Sequence, residues 1–468
     1  MPPADEPPSS PPTVEYASVP VTGSDPPLQT VSLPANAPPP SAQPVSASAP
    51  AFNCAPAPAR KDPYAALRDD NYRRYIRGWA FSAIGLHMMG AAVHWELYAR
   101  KSSAMALGLV GLVQALPVIF LALPAGHFAD THDRRRILIG AQLVFAVCAL
   151  GLAVVSFWQG PVWMIYSLLM VAGCAKAFGS PARGAMLPLL VSETLFENVV
   201  TWNSFVFHIA ATVGPIGAGL IMHRTMGWPV FLITATGTFI FAMSLLRVRP
   251  RPAPRNTDPL TLRSMFAGAG FLLEEKTVLA AITLGLFAVL VGGATTLLPI
   301  YAKDILHVGA IGFGALRAAP YVGAFVMAWI LAHRPPFERA GRALLLSVAC
   351  FGALMIVFGL STSFPLSLVC LLLAGALDNI SVVVRHVLVQ VRTPNALRGR
   401  VAAVNTVFID SSNELGGFES GLVAKLFNPV VSVVSGGIGT ILVVAGIAAK
   451  WKEIRQLGRL TGAEKNGD

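Results

Sequence analysis

Six ionisable side chains stand where charge is least welcome. His87, Lys176, Arg317, Asp378, Asp410 and Glu414 each fall inside an apolar block long enough to cross a bilayer. A charge at the bilayer centre costs at least about 2.5–3.5 kcal/mol on insertion scales, so such a group persists only beside a partner or a water-filled cavity. The chemistry these residue types offer there is recognition of charge and transfer of protons. Bond-making chemistry has no signature: there is no phosphate-binding loop, no H-E-x-x-H, no G-x-S-x-G and no His or Asp cluster at metal-ligand spacing. The chain is therefore not read as an enzyme, and neither cofactor nor metal is expected.

Spacing sorts these groups. Asp410 and Glu414 are four residues apart, which puts them on one face of a helix. Two carboxylates so close suit proton exchange, or they belong to a packing network with Asn405 and Asn413. His87 and His94 are seven apart and share a face, either titrating near physiological pH or packing. Arg317 can hold an anionic substrate group or snorkel from a helix end. Glu96, beside Trp95, suits an interfacial anchor or gate. Lys176 lies midway along the fourth apolar block and Asp378 midway along the tenth. They form a charge pair or substrate and proton site between two halves, or each pairs separately within its own half.

The elements that must position them are membrane helices. Of 468 residues, 54% are hydrophobic and 13% charged, against about 25% charged in a soluble domain. Val278–Ile300 and Leu345–Leu377 contain no charge. Lipid satisfies no backbone hydrogen bond, so repeated blocks of this length imply a helical bundle. The spans read 77–98, 105–127, 137–158, 162–182, 203–223, 228–246, 278–300, 312–332, 343–361, 364–388, 401–423 and 429–449. The expected class is an all-α integral membrane protein of twelve transmembrane helices in two six-helix pseudo-symmetric halves, 63–247 and 278–450, joined by a link over 248–277. Residues 1–62 form a Pro/Ala/Ser-rich tail, expected to be disordered, with 17 of the 36 prolines before residue 61; residues 451–468 form a second tail. With both termini cytoplasmic, the cytoplasmic segments hold 26 Lys and Arg, the outer loops five and the spans four. This asymmetry sets the orientation and turns the net charge of +11 away from nucleic acid and towards the bilayer. The five cysteines read as small packing residues.

An internal repeat underlies the halves. At an offset of 202 residues, Ala172-Gly173 matches Ala374-Gly375, Arg183 matches Arg385, Asn203 matches Asn405 and Gly219-Leu220 matches Gly421-Leu422. At 203, Ala115 and Pro117 match Ala318 and Pro320. Halves with an even number of spans are parallel repeats, with a substrate site between them near the midplane.

Two motifs narrow the family. The loop after span 2, Gly126-His127-Phe128-Ala129-Asp130-Thr131-His132-Asp133-Arg134-Arg135-Arg136, resembles the major facilitator signature G-x-L-x-D-[RK]-x-G-R-[RK]. Gly126, Asp130, Arg134 and Arg135 match; Thr131 and Asp133 depart from it, the latter removing the glycine of a tight turn. Gly126 would let two helices approach, and Asp130, paired with Arg183, would latch the outward-facing state. In span 5, Gly214-Pro215-Ile216-Gly217-Ala218-Gly219 resembles the G-P-x-x-G-G motif of exporters and antiporters, with Ala218 replacing one glycine. The stretches Ser180–Val191 and Arg392–Val401 look like the enterobactin-exporter-like branch, also called transmembrane secretion effectors, over about residues 64–450. The resemblance implies spans 4 and 10 facing each other across a cavity, in a monomeric inner-membrane exporter of siderophores or drugs by proton antiport. The alternatives are a proton-coupled uptake symporter of a small metabolite or, in another class, a receptor or scaffold without transport.

Overall fold

The computed structural model describes residues 62–251, 270, 275–291, 294–335, 337–394 and 398–458. Residues 1–61 and most of the 248–277 link, on which two of the expected segments fall, lie outside the described residues. Eleven long helices and one shorter one, α7, run through the described residues: α1 Asp70–Lys101, α2 Ala104–Thr131, α3 Arg134–Phe157, α4 Val162–Met186, α5 Phe196–Arg224, α6 Trp228–Arg247, α7 Lys276–Val291, α8 Gly309–Ala332, α9 Ala340–Leu360, α10 Phe364–Arg392, α11 Arg398–Leu426 and α12 Pro429–Lys450. Among the described residues, nine helices are long and apolar enough to cross a membrane by length and composition. The other three are α1, α7 and α11. Helix α7 is short. Helices α1 and α11 carry His87, His94, Asp410 and Glu414, the polar groups a cleft-lining helix needs.

The helix ends follow local chemistry. Asp69 caps α1, its carboxylate accepting from Asn71 N at 2.9 Å and Tyr72 N at 3.1 Å. Asn428 caps α12 through Val431 N at 2.7 Å, with Pro429 in the first turn, where a missing N–H costs nothing. The expectation of one unbroken span over 278–300 is corrected. Helix α7 stops at Val291, and the chain continues as a 3-10 turn, Ala294–Leu297, and a short α turn containing Pro299. A π turn, Tyr301–Ile305, follows and is closed by Leu306 N on Tyr301 O at 2.7 Å. Proline supplies no N–H, so the ladder cannot run straight through it.

The two halves repeat one packing scheme. In the first, α1 packs on α5 and α6, α2 on α4, and α3 on α4 and α6; in the second, α7 packs on α11 and α12, α8 on α10, and α9 on α10 and α12. The offset identities map onto these contacts. A Cβ on Gly173 would lie 3.1 Å from Pro117, and one on Gly375 would lie 2.0 Å from the Pro320 carbonyl oxygen, so each half needs a glycine where its second and fourth helices meet. Between the halves, α2 packs on α11 and α5 on α8.

The start of α1 and the end of α12 lie on one face of the bundle, called terminal, because the helices are even in number; the opposite face is called distal. The largest buried core lies towards the distal face and draws on both halves, joining Leu97, Leu107 and Met222 to Leu298, Tyr301 and Phe313. Towards the terminal face the core divides. One cluster, around Tyr72, Trp79 and Phe241, belongs to the first half, and another, around Leu284, Leu344 and Leu388, belongs to the second. The bundle is thus sealed on its distal side and parted on its terminal side.

Candidate functional site

Where the core divides, the ionisable groups gather. Lys176 of α4 donates from Nζ to Glu414 Oε1 of α11 at 3.1 Å, an ion pair joining the two halves. The Lys176 side chain is 35% accessible and that of Glu414 19%, although both lie mid-helix. Accessibility at that depth marks groups lining an open cleft. Asp410, one turn from Glu414, is close enough to act on the Lys176 charge, as is Tyr321 of α8. Arg317, also on α8, lies within electrostatic reach of Glu414 and Tyr321 and of His87 and His94 on α1. Charges therefore alternate across the cleft: Arg317, Glu414, Lys176, Asp410. Five of the six groups singled out by residue type and depth converge here.

Asp378 is the sixth, and the expectation that it pairs with Lys176 is corrected. Its charge neighbour is Arg385, seven residues on along the same helix. Arg385 also donates from Nε to Ser381 O at 3.3 Å and packs against Gly285 of α7, in the space a side chain there would fill. The repeat offset identifies equivalent positions in two halves. Equivalent positions are related by the pseudo-twofold axis, which by itself does not bring them into contact, and α11 rather than α10 meets Lys176.

Rings wall the cleft beside the charges. His87, Phe207 of α5 and Tyr321 form an edge-to-face trio, with His87 5.4 Å from Phe207 and 5.8 Å from Tyr321, and Phe207 6.3 Å from Tyr321. Phe205 and His208 of α5 extend it to Phe325 of α8 at 5.8 and 6.2 Å. Of these, only His87 was singled out from sequence. The aromatic residues carried no signal there, because rings are common in any apolar span.

The span-5 motif is built into this wall. Gly214 packs on α1, where a Cβ would lie 2.8 Å from that of His87. Gly219 faces the other half, where a Cβ would lie 2.5 Å from Ala310 O, and Gly314 answers it at 2.5 Å from Pro215 O. Backbone therefore meets backbone across the α5–α8 seam on its distal half. At the α2–α11 seam Gly108 meets Gly421 likewise. Beyond these contacts the halves are tied at the distal rim, where the Tyr98 hydroxyl of α1 donates to Asp304 Oδ2 of the π turn and Lys303 lies 5.5 Å over the Tyr98 ring. Sequence reading missed this tie, because Asp304 sits in what reads as a loop. A crevice of about 660 Å³ opens beside it, lined in part by Ser102, Lys425 and Asn428. It lies at the sealed rim, away from the central charges.

Arg134 and Arg135 of the signature loop bind helix ends. Arg134 Nη1 donates to Ala185 O at the end of α4 at 3.2 Å. Arg135 Nε donates to Leu245 O at the end of α6 at 2.7 Å, and its Nη2 to Leu246 O. Cations at helix C-termini satisfy orphan carbonyls and complement the dipole. Asp133, at the position of the signature's second glycine, is extended (φ −64°, ψ 106°) and caps α3 through Arg135 N at 2.9 Å. The turn therefore needs no glycine. Arg183 lies 4.0 Å over the Trp79 ring. The side chain of Asp130, its expected partner, lies outside the described residues. The expectation that Gly126 allows a close approach is corrected: among the described residues a Cβ there would meet nothing within 4 Å. Arg135→Ala is expected to cost about 1–2 kcal/mol through uncapped carbonyls, read as a lowered melting temperature in detergent. Arg136→Ala, removing only an exposed 3.5 Å pair with Asp133, should change it little.

Glu96 is an anchor. It pairs with Arg100 and accepts from Ser156 Oγ at 2.8 Å, while Arg100 Nη1 donates to Gly160 O at 2.9 Å, all within the first half. Among the described residues no group of three or more His, Cys, Asp or Glu could hold a metal ion.

Known proteins share this architecture. A family model described as transmembrane secretion effector matches residues 61–461. The enterobactin exporter of Escherichia coli O1:K1 is 25% identical over 364 residues, which cover 77% of this chain and 87% of that one. The enterobactin exporter of Citrobacter koseri gives the same values. Among solved structures, a bacterial homolog of the human lysosomal transporter Spinster, inward-facing and occupied, superposes with a TM-score of 0.64 at 12% identity over 82% of this chain and 97% of that one. The nucleoside transporter NupG superposes with a TM-score of 0.65 at 11% identity over 82% and 99%.

Proposed function

The chain belongs to the transmembrane secretion effector family of major facilitator transporters, and on that premise we propose that it exports a siderophore- or drug-like small molecule across a bacterial inner membrane in exchange for protons. The halves rock about the central charges in alternating access. Both termini are cytoplasmic, as the basic-loop asymmetry favours. The sealed distal rim then faces outward and the parted side opens to the cytoplasm, ready to load cargo.

The observation that carries this reading is the Lys176–Glu414 pair, given by one half and accepted by the other at the base of the cleft. A proton on Glu414 removes the charge that holds Lys176, so proton binding and the tie between the halves are linked, and the linkage is reciprocal. Asp410 and Glu414 are the proton-carrying groups, and Lys176 is the cation they exchange. His87 and Arg317 line the cargo side. Export rather than uptake follows from the enterobactin exporters it resembles and from the Gly214-Pro215 motif in the α5–α8 seam.

Inside-out vesicles from cells expressing the full chain test this. With the lumen acidified, adding a transported compound from a siderophore and drug panel is expected to release luminal protons as the compound accumulates. Accumulation in right-side-out vesicles under an inward proton gradient would mean symport and overturn export. Accumulation that ignores the proton gradient would overturn antiport.

A further inference from the structure

Arg317 holds its charge deep in the bundle and is only half-buried. It makes no hydrogen bond and no ion pair with any described residue. Other arginines set into the helices are engaged: Arg100 with Glu96, Arg183 over Trp79, Arg385 on Ser381 O. Glu414, the nearest carboxylate in charge terms, is bonded to Lys176. A guanidinium cannot be deprotonated in a protein, so Arg317 is no proton carrier. An interior cation with a free planar fork is suited to a bidentate oxyanion.

The surroundings add shape. Arg317 Nη2 faces Gly90 of α1, 3.5 Å from where a Cβ would stand, so that side of α1 leaves room beside the guanidinium. His87 lies one turn from Gly90 and Tyr321 one turn from Arg317, and both belong to the edge-to-face trio with Phe207. A ring bound beside Arg317 would touch α1, α5 and α8, and hence both halves.

We propose that Arg317 is the cargo's anion receptor and that the cargo is an organic anion bearing an aromatic ring, with its acid group on the guanidinium and its ring against His87, Phe207 and Tyr321. This rests on the export reading for its place in the cycle, and it names the chemical class that reading leaves open. Lys176 does not compete for the role while Glu414 holds it.

The test is fluorescence polarisation with the purified full-length protein, using carboxyfluorescein and rhodamine 123, which share a ring system and differ in charge. The anion is expected to bind at least about tenfold more tightly than the cation. Arg317→Gln should erase that preference, and Arg317→Lys should keep part of it, because lysine supplies charge without the fork. Gly90→Leu should weaken carboxyfluorescein by filling the space while leaving every charge in place. Equal affinities, a preference for rhodamine 123, binding of neither dye, or an anion preference untouched in Arg317→Gln overturns the proposal. Binding needs no gradient. Absence of any anion preference in the unaltered protein, when that protein still exchanges protons for cargo in vesicles, overturns this assignment alone. Anion binding without proton exchange overturns antiport alone.

Discussion

Glu414→Gln is expected to slow proton-driven efflux by roughly ten- to a hundredfold while leaving the protein folded. A hydrogen bond to a charged group contributes about 1.5–3 kcal/mol, and about 1.4 kcal/mol is a factor of ten. The top of that range is not reached, because both side chains reach the cleft and water replaces part of the lost contact. Glutamine keeps the shape and can still accept from Lys176 Nζ, but it cannot take up a proton. Lys176→Met is harsher, since it leaves Glu414 and Asp410 on one face of α11 without their cation. Removing one member of an inward-facing ion pair is worse than removing both. The double variant Lys176→Met with Glu414→Gln should therefore recover the abundance of membrane-inserted protein without recovering coupling, and this non-additivity is the signature of direct contact. Abundance and gradient-driven efflux, measured on all three variants, separate packing from coupling. Glu414→Gln efflux at full rate, still driven by the gradient, would remove Glu414 from the proton path.

The architecture was legible because bilayer physics writes it in large letters. Eleven of the twelve expected spans fall on a long helix, the broken 278–300 being the other, and ten of the twelve starts lie within three residues of a helix start. The exceptions are instructive. Helices α1 and α5 begin seven residues early, at Asp70 and Phe196, because hydropathy marks where lipid ends and says nothing of where helical hydrogen bonding ends. The site was legible as a set of residues and misread as a set of pairs. Depth in an apolar block found Lys176, Arg317, Asp410, Glu414 and His87, since burying charge is costly wherever the partner is. Partnership depends on which side chains meet across the cleft, and no offset along one chain encodes that Lys176 of α4 reaches Glu414 of α11. The signature loop shows the converse. Its arginines were marked by type, yet the partners of Arg134 and Arg135 include the Ala185, Leu245 and Leu246 carbonyls, which every sequence possesses and no motif reports. Tyr98 and Asp304 were invisible for a third reason: a π turn has no periodic signal, and a tyrosine at a span end reads as an interfacial anchor.

That distal tie predicts the second large effect. Opening the distal face requires the Tyr98–Asp304 hydrogen bond to break, because its two ends belong to different halves. The Gly219–Gly314 and Gly108–Gly421 seams must also part, yet these are van der Waals contacts between backbones, individually weak. The hydrogen bond to a carboxylate is the strongest single contact at the rim, about 1.5–3 kcal/mol. Asp304→Ala removes it together with the carboxylate that accepts it. The equilibrium between distal-closed and distal-open forms should then shift towards opening by roughly ten- to a hundredfold. Tyr98→Phe, which keeps the ring under Lys303 and loses only the hydroxyl, should shift it less. Spin labels at Lys101 and Phe427, both exposed on the distal face and in different halves, read the change as a longer distance population. Cargo that binds the terminal-open form should restore the short distance, because a ligand shifts a conformational equilibrium by its differential affinity for the two states. Distances unmoved by Asp304→Ala would show that the glycine seams and the shared apolar core hold the rim closed. Faster efflux in Tyr98→Phe would show that opening this rim limits the transport cycle.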